Sequence, residues 1–224
     1  MPLFDSKDQE ITLNKSKENR AGRKPGEAIW GGQFHFDPGT YLQNIRKEVP
    51  EYDEMQDIIA GIATQGGVKR FLDLGAGTGE TALRILEKAP QAKAFLVEEQ
   101  ENMIAVLRER FSGFKAIIFQ SDFGNELPEG PFCTVVSLFA VHHLKGVRKK
   151  ELFKRIHSVL KPGGLWIFGD VYRMARPVTR STPVNPAHDF PGTMQEVEAW
   201  LMEVGFDVKK VWCQRDLAVY ACRK

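Results

Sequence analysis

Three closely spaced glycines follow a short apolar segment near residue 70. Gly75, Gly77 and Gly79 come directly after Phe71–Leu74 and precede a predicted helix. At the carboxyl end of a buried strand, glycines let the backbone turn tightly and approach a ligand closely. A dinucleotide-binding fingerprint needs a glycine where this chain has Glu80. A carboxylate there opposes a pyrophosphate, so the turn favours a ligand that has none.

Acidic residues follow the next two predicted strands. Glu98 and Glu99 come after the second strand, where a carboxylate can accept hydrogen bonds from ribose hydroxyls. Counting back from Met103 favours Glu98 of the two. Asp122, after the third strand, is a candidate acceptor for an adenine amino group, with Phe123 against the ring. Each acidic residue alone is also a common helix cap. Their order on consecutive strand ends is what indicates a nucleoside.

Two adjacent histidines and an aspartate follow the fourth and fifth predicted strands. His142 and His143 come one short turn after the fourth strand, and Asp170 ends the fifth. A histidine exchanges protons near neutral pH, so either imidazole is a candidate general base. Asp170 is a candidate to orient it or to accept a proton itself. The alternative is that the two histidines serve only packing and hydrogen bonding.

The segment after Asp170 has the composition of a long loop. Residues 171–192 contain four prolines and show no clear periodicity. The loop carries Arg173, Arg176 and His188 where a substrate must enter. Because guanidinium groups bind carboxylate and phosphate well, an anionic substrate is a hypothesis. Solvated loop charges without a ligand are the more frequent case.

Short apolar segments alternate with amphipathic helices from residue 68 onward. Strands are predicted at 68–74, 93–97, 116–120, 132–138, 164–169, 206–213 and 217–222, and helices at 78–89, 100–111, 147–160 and 194–204. The alternation is typical of an α/β fold with a Rossmann-like, doubly wound sheet, mostly parallel and covered on both faces. The short turn between the last two strands permits only an antiparallel hairpin at the sheet edge.

The chain is predicted to have three parts. Residues 1–26 are basic and poor in large apolar side chains, which predicts a disordered or loosely docked arm, with RNA binding as the alternative. Residues 27–66 form a predicted helical cap broken at Pro50. Residues 67–224 form the predicted ligand-binding domain. The basic stretch 145–154 is interpreted as a solvated helix face.

Composition narrows the class of protein. The 224 residues carry a formal net charge of +2, which by itself does not indicate nucleic-acid binding. No apolar run is long enough to predict a membrane span. Three scattered cysteines argue against a disulfide framework and favour a cytoplasmic location. No pair of histidines has zincin-type spacing with a third ligand, so no metal is expected. Oligomeric state is not indicated, with a homodimer as one option.

The stretch from Phe71 to Asp170 resembles class I methyltransferases that use S-adenosylmethionine (SAM), within the ubiquinone/menaquinone-methyltransferase-like group (methyltransferase type 11/25). FLDLGAGTGE resembles their first motif, and LVEEQENM resembles their ribose motif with Glu98 in place of the commoner aspartate. FCTVVSLFAVHHL and VLKPGGLWIFGD are similar to their fourth-strand motif and to the turn before the fifth strand. The resemblance implies seven strands with the last antiparallel, SAM as cofactor and S-adenosylhomocysteine as product.

The cap segment that runs from Phe36-Asp37-Pro38 through Tyr41, Arg46, Pro50 and Tyr52 resembles a subgroup that includes enzymes acting on the tRNA wobble uridine. This resemblance implies that Tyr41, Arg46 or Tyr52 touches the methionine carboxylate of SAM, whereas the alternative is that they only pack the cap onto the sheet. The expected cofactor-binding residues are Tyr41, Arg46, Asp73, Gly75, Ala76, Gly77, Gly79, Glu98, Glu99, Met103, Ser121, Asp122, Phe123, Ser137 and Leu138.

The leading functional hypothesis is methyl transfer to an O, N or C atom of a small molecule. A tRNA methyltransferase is the second hypothesis, because of the cap resemblance and the basic arm, and its binding would weaken steeply with salt. A SAM-binding protein without catalysis is the third. A nicotinamide-dependent reductase ranks below these because the fingerprint is broken at Glu80.

Overall fold

The computed structural model describes residues 37–175 and 181–224. The predicted arm, the first part of the cap and Arg176 lie outside the described residues. The helices are α1 (Pro38–Glu48), α2 (Tyr52–Thr64), α3 (Glu80–Lys88), α4 (Glu101–Arg110), α5 (Gly146–Val159) and α6 (Met194–Val204). The strands are β1 (Arg70–Leu74), β2 (Lys93–Glu98), β3 (Ala116–Gln120), β4 (Phe132–Leu138), β5 (Leu160–Val171), β6 (Asp207–Gln214) and β7 (Leu217–Arg223).

The seven strands form one sheet in the order β3-β2-β1-β4-β5-β7-β6. The pairs from β3 to β5 are parallel, and β7 is antiparallel to both β5 and β6. The chain runs outward from β1 to β3 and then returns to β4 on the other side of β1. This reversal creates a crevice outside the carboxyl ends of β1 and β4, the usual place for a ligand in such sheets. The predicted seven-stranded sheet and its terminal hairpin are confirmed.

Helices cover both faces of the sheet, so the central strands are apolar on both sides. Successive side chains of a strand point to opposite faces. Phe71 therefore packs into the apolar cluster on one face, whereas Leu72 packs into the cluster on the other. Because both faces of β1 are buried, a run of consecutive apolar residues leads directly to the glycine turn.

The described part of the cap consists of two helices with the predicted break near Pro50. Asp37 caps α1 by accepting a hydrogen bond from the Gly39 N–H at 3.0 Å, and Pro38 takes the first helical position. Met55 and Ile59 of α2 are fully buried in the cluster on the first face. The cap is thus joined to the sheet through α2.

One interpretation of the sequence is wrong at Lys149. The basic stretch at 145–154 is only partly a solvated face, because Lys149 is 2% exposed and its ammonium donates to the Phe190 carbonyl. Helical spacing explains this burial, since Lys149, Leu152 and Phe153 share one side of α5. Burial also lowers the pKa of Lys149.

Helix α3 begins two residues later than predicted. The Gly79 backbone has φ +85°, which keeps the turn going until Glu80. Among the described residues, no helix has both the length and the apolar character needed to cross a membrane.

Gly77 and Gly79 of the turn have different surroundings. Replacing each by alanine should therefore lower the free energy of unfolding by different amounts. Alanine at Gly77 (φ +56°) meets open space, so we expect Gly77→Ala to cost only backbone strain, about 1–2 kcal/mol. Alanine at Gly79 (φ +85°) places its Cβ 2.3 Å from the buried Phe111 ring, which adds about 1–3 kcal/mol of overpacking. Urea unfolding of both variants measures the difference; equal losses would contradict this packing.

Candidate functional site

The glycine turn forms a cradle at the carboxyl end of β1. The Gly75 and Ala76 N–H groups both donate to the Val97 carbonyl of β2 at 3.0 Å, which ties the turn to the neighbouring strand. A Cβ at Gly75 would lie 2.8 Å from the Ala140 Cβ, whereas a Cβ at Gly77 would meet nothing within 4 Å. The open side of the cradle is therefore at Gly77.

Glu98 at the end of β2 faces this turn. Its Oε2 accepts a hydrogen bond from the Gly77 N–H, and its Oε1 accepts from the N–H groups of Glu99 and Gln100, all at 2.8 Å. A carboxylate has about four acceptor positions, so these three bonds leave capacity for one more donor. A ribose hydroxyl is such a donor. Glu99 is less buried and contributes its backbone N–H to these bonds.

Asp73, the residue before the last of β1, is a buried carboxyl group with an unused oxygen. Asp73 is 1% exposed, and its Oδ2 has no hydrogen-bond partner among the described residues. Burial raises the pKa of Asp73 to about 8, and the negative charge of Glu98 adds to this effect. An orphaned buried carboxyl group is costly, and a bound ammonium group would relieve the cost.

The third predicted acidic residue is already engaged. Asp122 Oδ1 accepts from the Gly124 N–H at 2.7 Å, and its Oδ2 lies 3.2 Å from a guanidinium nitrogen of Arg148. The Phe123 ring stands beside the turn, 3.4 Å from the position of a Cβ on Gly75. Phe123 is thus placed to cover one side of the crevice, while the adenine contact of Asp122 stays a prediction.

Other predicted cofactor residues differ in their surroundings. Ser137 near the end of β4 is buried, and its hydroxyl has no partner among the residues described. Leu138 and Met103 are also buried. Ser121 is half-buried, and its N–H donates to the Glu98 carbonyl. Their contacts with a cofactor remain predictions.

The cap contributes two tyrosines near this crevice. Burial raises the pKa of Tyr41 to about 12 and raises that of Tyr52 as well. The Tyr52 ring stacks on Phe139, with 6.2 Å between ring centroids. Arg46 instead forms a bidentate pair with Asp53, at 2.7 and 3.0 Å. The cap arginine is therefore held by α2, and its contact with the methionine carboxylate has no support in this geometry.

His142 and Asp170 form a buried pair at the ends of β4 and β5. His142 Nδ1 lies 2.5 Å from Asp170 Oδ1, and the His142 backbone N–H donates to Asp170 Oδ2 at 2.9 Å. The Val171 N–H donates to the same carboxylate at 2.8 Å. These bonds fix the ring and direct its Nε2 away from Asp170. The sequence prediction that these two residues come together is consistent with the geometry, and their chemical role is untested.

The long loop adds a residue that the sequence did not indicate. Asp189 Oδ1 lies 2.9 Å from His143 Nδ1 and 3.7 Å from His142 Nε2. The loop is held there because the Phe190 N–H donates to the His142 carbonyl at 2.7 Å. The Asn185 N–H also donates to Asp189 at 2.6 Å. Burial and the adjacent His142 ring lower the pKa of His143.

A cleft opens beside this histidine pair. Its lining combines apolar side chains with the two imidazoles and two hydroxyls, and includes Tyr41, Ile45, Phe139, His142, His143 and Thr182. Phe139 at the end of β4 has φ +51°, a conformation that is strained for a residue other than glycine and is found mainly at functional sites. Cap, sheet and loop thus meet at this cleft.

The predicted substrate residues do not line the cleft where they are described. Arg173 is exposed and pairs with Glu196 at 3.1 Å. His188 lies in the loop next to Asp189 but is not part of the cleft lining. Arg176 is outside the described residues. The anionic-substrate hypothesis therefore has no support from the described part of the loop.

Glu80 differs from the expectation based on the sequence. Glu80 forms ion pairs with Arg84 and Arg110, so its charge is compensated and does not by itself repel a pyrophosphate. What fits SAM is a different set of features. Asp73 suits the amino group of its methionine part, Glu98 has capacity for a ribose hydroxyl, and Gly77 leaves space beside the turn.

Comparisons with known proteins agree with this fit. Residues 71–164 match the family described as a methyltransferase domain. The chain is 31% identical over 144 residues to an uncharacterized methyltransferase of Geobacillus sp. (strain WCH70), covering 62% of this chain and 66% of that protein. It is 26% identical over 157 residues to a tRNA N(3)-methylcytidine methyltransferase of Schizosaccharomyces pombe, covering 66% of this chain and 50% of that protein.

The fold has counterparts among solved structures. An S-adenosylmethionine-dependent methyltransferase from Clostridium acetobutylicum superposes with a TM-score of 0.65 at 15% identity, covering 81% of this chain and 97% of that one. The matched family, the sequence relatives and the shared fold agree with the glycine turn and its acidic partners. The chain therefore has the fold of SAM-dependent methyltransferases and matches a methyltransferase domain over residues 71–164, with SAM as the cofactor that this domain implies.

Proposed function

We propose that this chain is an enzyme that transfers a methyl group from SAM to an O, N or C atom of a small molecule. SAM, when bound, supplies an electrophilic methyl group on a sulfonium. The observation that carries the proposal is the position of the His142–His143 cleft beside the strand ends that form the cofactor crevice. Methyl transfer depends mainly on orientation, which such a cleft provides.

The residues of the chain have separable roles in this proposal. Asp73 and Glu98 hold the cofactor's amino group and ribose. Asp170 orients His142, so that one of the two imidazoles receives a proton when the acceptor is a hydroxyl or a protonated amine. Tyr41 and Phe139 exclude water from the acceptor side of the cleft.

The cleft lining favours one class of acceptor. Most of the described lining side chains are apolar or aromatic, and none of them is a lysine or arginine. Binding sites of this kind take largely apolar molecules with a few polar groups. We therefore infer an acceptor with an apolar body and one nucleophilic group, rather than a strongly anionic one.

The direct experiment is a turnover assay. The protein is incubated with SAM and a panel of apolar phenols, amines and carbon acids, and S-adenosylhomocysteine formation is measured. Acceptor-dependent product formation that falls at least about tenfold in His142→Gln supports the proposal. SAM binding without turnover on any acceptor favours the alternative of a non-catalytic SAM-binding protein.

A tRNA acceptor is the second candidate, favoured by the similarity to the fission-yeast tRNA methyltransferase. The basic helix α5 offers few free charges for binding RNA. Lys149 is buried, and Arg148 and Lys150 pair with Asp122 and Glu203. RNA binding should weaken steeply between low and high salt, whereas binding of a small apolar acceptor should not. A salt series with bulk tRNA separates the two.

Glu98 is expected to matter more than Glu99 for cofactor binding. Glu98→Gln removes a charged acceptor from the crevice, so we expect S-adenosylhomocysteine to bind at least about tenfold more weakly. Glu99→Gln should change the affinity far less, because it is the Glu98 carboxylate that accepts the hydrogen bond from the Gly77 N–H. Calorimetric titration of both variants measures this. A larger loss in Glu99→Gln would reverse the assignment.

Asp73 should make the cofactor-free protein less stable at alkaline pH. Its pKa is 3.8 ordinarily and about 8 in the fold, so the native state keeps a proton that the unfolded chain loses. Stability therefore falls as pH rises from about 4 to about 8. Asp73→Asn cannot ionise, and we expect it to be more stable than the wild type at pH 8, by about 1–3 kcal/mol.

The pH dependence is the critical part of this prediction. The advantage of Asp73→Asn should shrink towards pH 5, where the wild-type carboxyl group is also neutral in the fold. Urea unfolding at pH 5, 6.5 and 8 measures it. S-adenosylhomocysteine should bind Asp73→Asn more weakly than the wild type. If Asp73→Asn is less stable than the wild type at every pH, the Asp73 carboxyl group is not destabilising in the cofactor-free protein and the assignment is contradicted.

A further inference from the structure

Three metal-ligating side chains meet at the edge of the cleft. The donor atoms of His142, His143 and Asp189 all lie within 4.8 Å of one another. No spacing in the sequence indicates this cluster, because the two histidines are adjacent and the third donor comes from the later proline-rich loop. We infer that these three residues bind one divalent transition-metal cation.

The available ring nitrogens are set by the surrounding hydrogen bonds. Asp170 occupies His142 Nδ1, which leaves Nε2 directed towards Asp189. His143 presents Nδ1 to the same carboxylate oxygen. The expected ligands are therefore His142 Nε2, His143 Nδ1 and a carboxylate oxygen of Asp189.

The spacing suits a cation after small side-chain movements. Three donors at about 2.0–2.2 Å from one ion stand roughly 3–3.5 Å apart. Asp189 Oδ1 lies 2.9 Å from His143 Nδ1 and 3.7 Å from His142 Nε2, on either side of that range. The two imidazole centroids are 4.1 Å apart and the rings are tilted by 51°, so they do not stack face to face.

Asp170 provides the outer support that metal-bound histidines usually have. A ligating histidine generally donates its second ring N–H to a carboxylate or carbonyl, which fixes its tautomer. Asp170 Oδ1 lies 2.5 Å from His142 Nδ1 and is itself held by the Val171 N–H. This arrangement is that of a carboxylate–histidine–metal group.

Charge also favours a cation. Two carboxyl groups, those of Asp170 and Asp189, are buried in this cluster. Lys149, whose buried ammonium donates to the carbonyl of Phe190 next in sequence to Asp189, supplies one compensating positive charge. A divalent cation would compensate the other carboxyl group, and burial of an uncompensated carboxylate is expensive.

The donor set selects the kind of metal. Two imidazoles and one carboxylate suit first-row cations such as Zn²⁺, Co²⁺, Mn²⁺ and Fe²⁺, whereas Mg²⁺ and Ca²⁺ prefer oxygen ligands alone. Three protein ligands leave coordination positions open, which is typical of a catalytic rather than a structural site. Both histidines line the cleft, so those positions face the space for the acceptor.

A role in methyl transfer follows only if the proposed function is correct. A cation at this place would bind an acceptor oxygen or nitrogen and favour its deprotonated form. The imidazoles would then act as metal ligands and not as a general base. Metal binding itself does not rest on the proposed function and is measured without SAM or acceptor.

The test is a metal titration of the EDTA-treated, dialysed full chain. Zn²⁺ is followed by calorimetry and Co²⁺ by its ligand-field absorption bands. We expect one equivalent, with binding weakened at least about tenfold in His143→Gln and Asp189→Asn and about 10–100-fold in Asp170→Asn. His157→Gln, on the helix α5 against Phe206, is the matched control and should bind as the wild type does.

Each outcome decides the inference. Circular dichroism and thermal melting first establish which variants fold, and His142→Gln replaces any that does not. No binding, or binding that survives both His143→Gln and Asp189→Asn, would overturn the site, leaving a histidine–aspartate hydrogen-bond cluster. S-adenosylhomocysteine titration of the same samples separates the two proposals. A protein that binds the metal but does not bind S-adenosylhomocysteine would refute only the proposed function.

Discussion

Buried carboxylates at the carboxyl ends of the strands set the constraint on which the site depends. Glu98 is the last residue of β2, Asp73 and Asp170 are the last but one of β1 and β5, and each is at least nine-tenths shielded from water. A buried carboxylate is tolerated only when other groups satisfy it. Backbone N–H groups donate hydrogen bonds to most acceptor positions of the Glu98 carboxylate, and the His142 ring is hydrogen-bonded to Asp170. One oxygen of Asp73 has no hydrogen-bond partner among the described residues. The least satisfied group therefore marks where a ligand's positive charge belongs.

The reversal of strand order divides the site into two halves. The cofactor half lies around the turn from Gly75 to Gly79, where backbone geometry rather than side-chain chemistry makes the space. The proposed acceptor half lies between the cap, the end of β4 and the proline-rich loop, where two histidines and an aspartate come together. The similarity to methyltransferases concerns the first half, and we propose that the second half selects the acceptor.

Sequence patterns predicted the strands and the glycine turn around the proposed cofactor half for a physical reason. The turn and its acidic partners depend on local spacing along strands that are buried on both faces, so their positions follow from periodicity and strand ends. The loop has no such periodicity, and nothing near Asp189 in the sequence indicates that it returns to the histidines. Its position depends on tertiary hydrogen bonds such as that from the Phe190 N–H to His142.

Charged residues were the hardest to place from the sequence. Arg46 and Arg173 both have types suited to binding an anion, yet each is paired with a carboxylate of a neighbouring helix. Lys149 lies in a basic stretch but points inward. The ion-pair partner of a guanidinium or ammonium group is set by tertiary structure, and the spacing of charged residues along the sequence does not indicate it.

The central claim is that the crevice beside the glycine turn binds SAM. Calorimetric titration of the purified protein with SAM, S-adenosylhomocysteine and NADH, at low and at high salt, tests it most directly. We expect micromolar binding of the first two at either salt concentration and none of NADH. Binding of NADH, or of none of the three, would contradict the account.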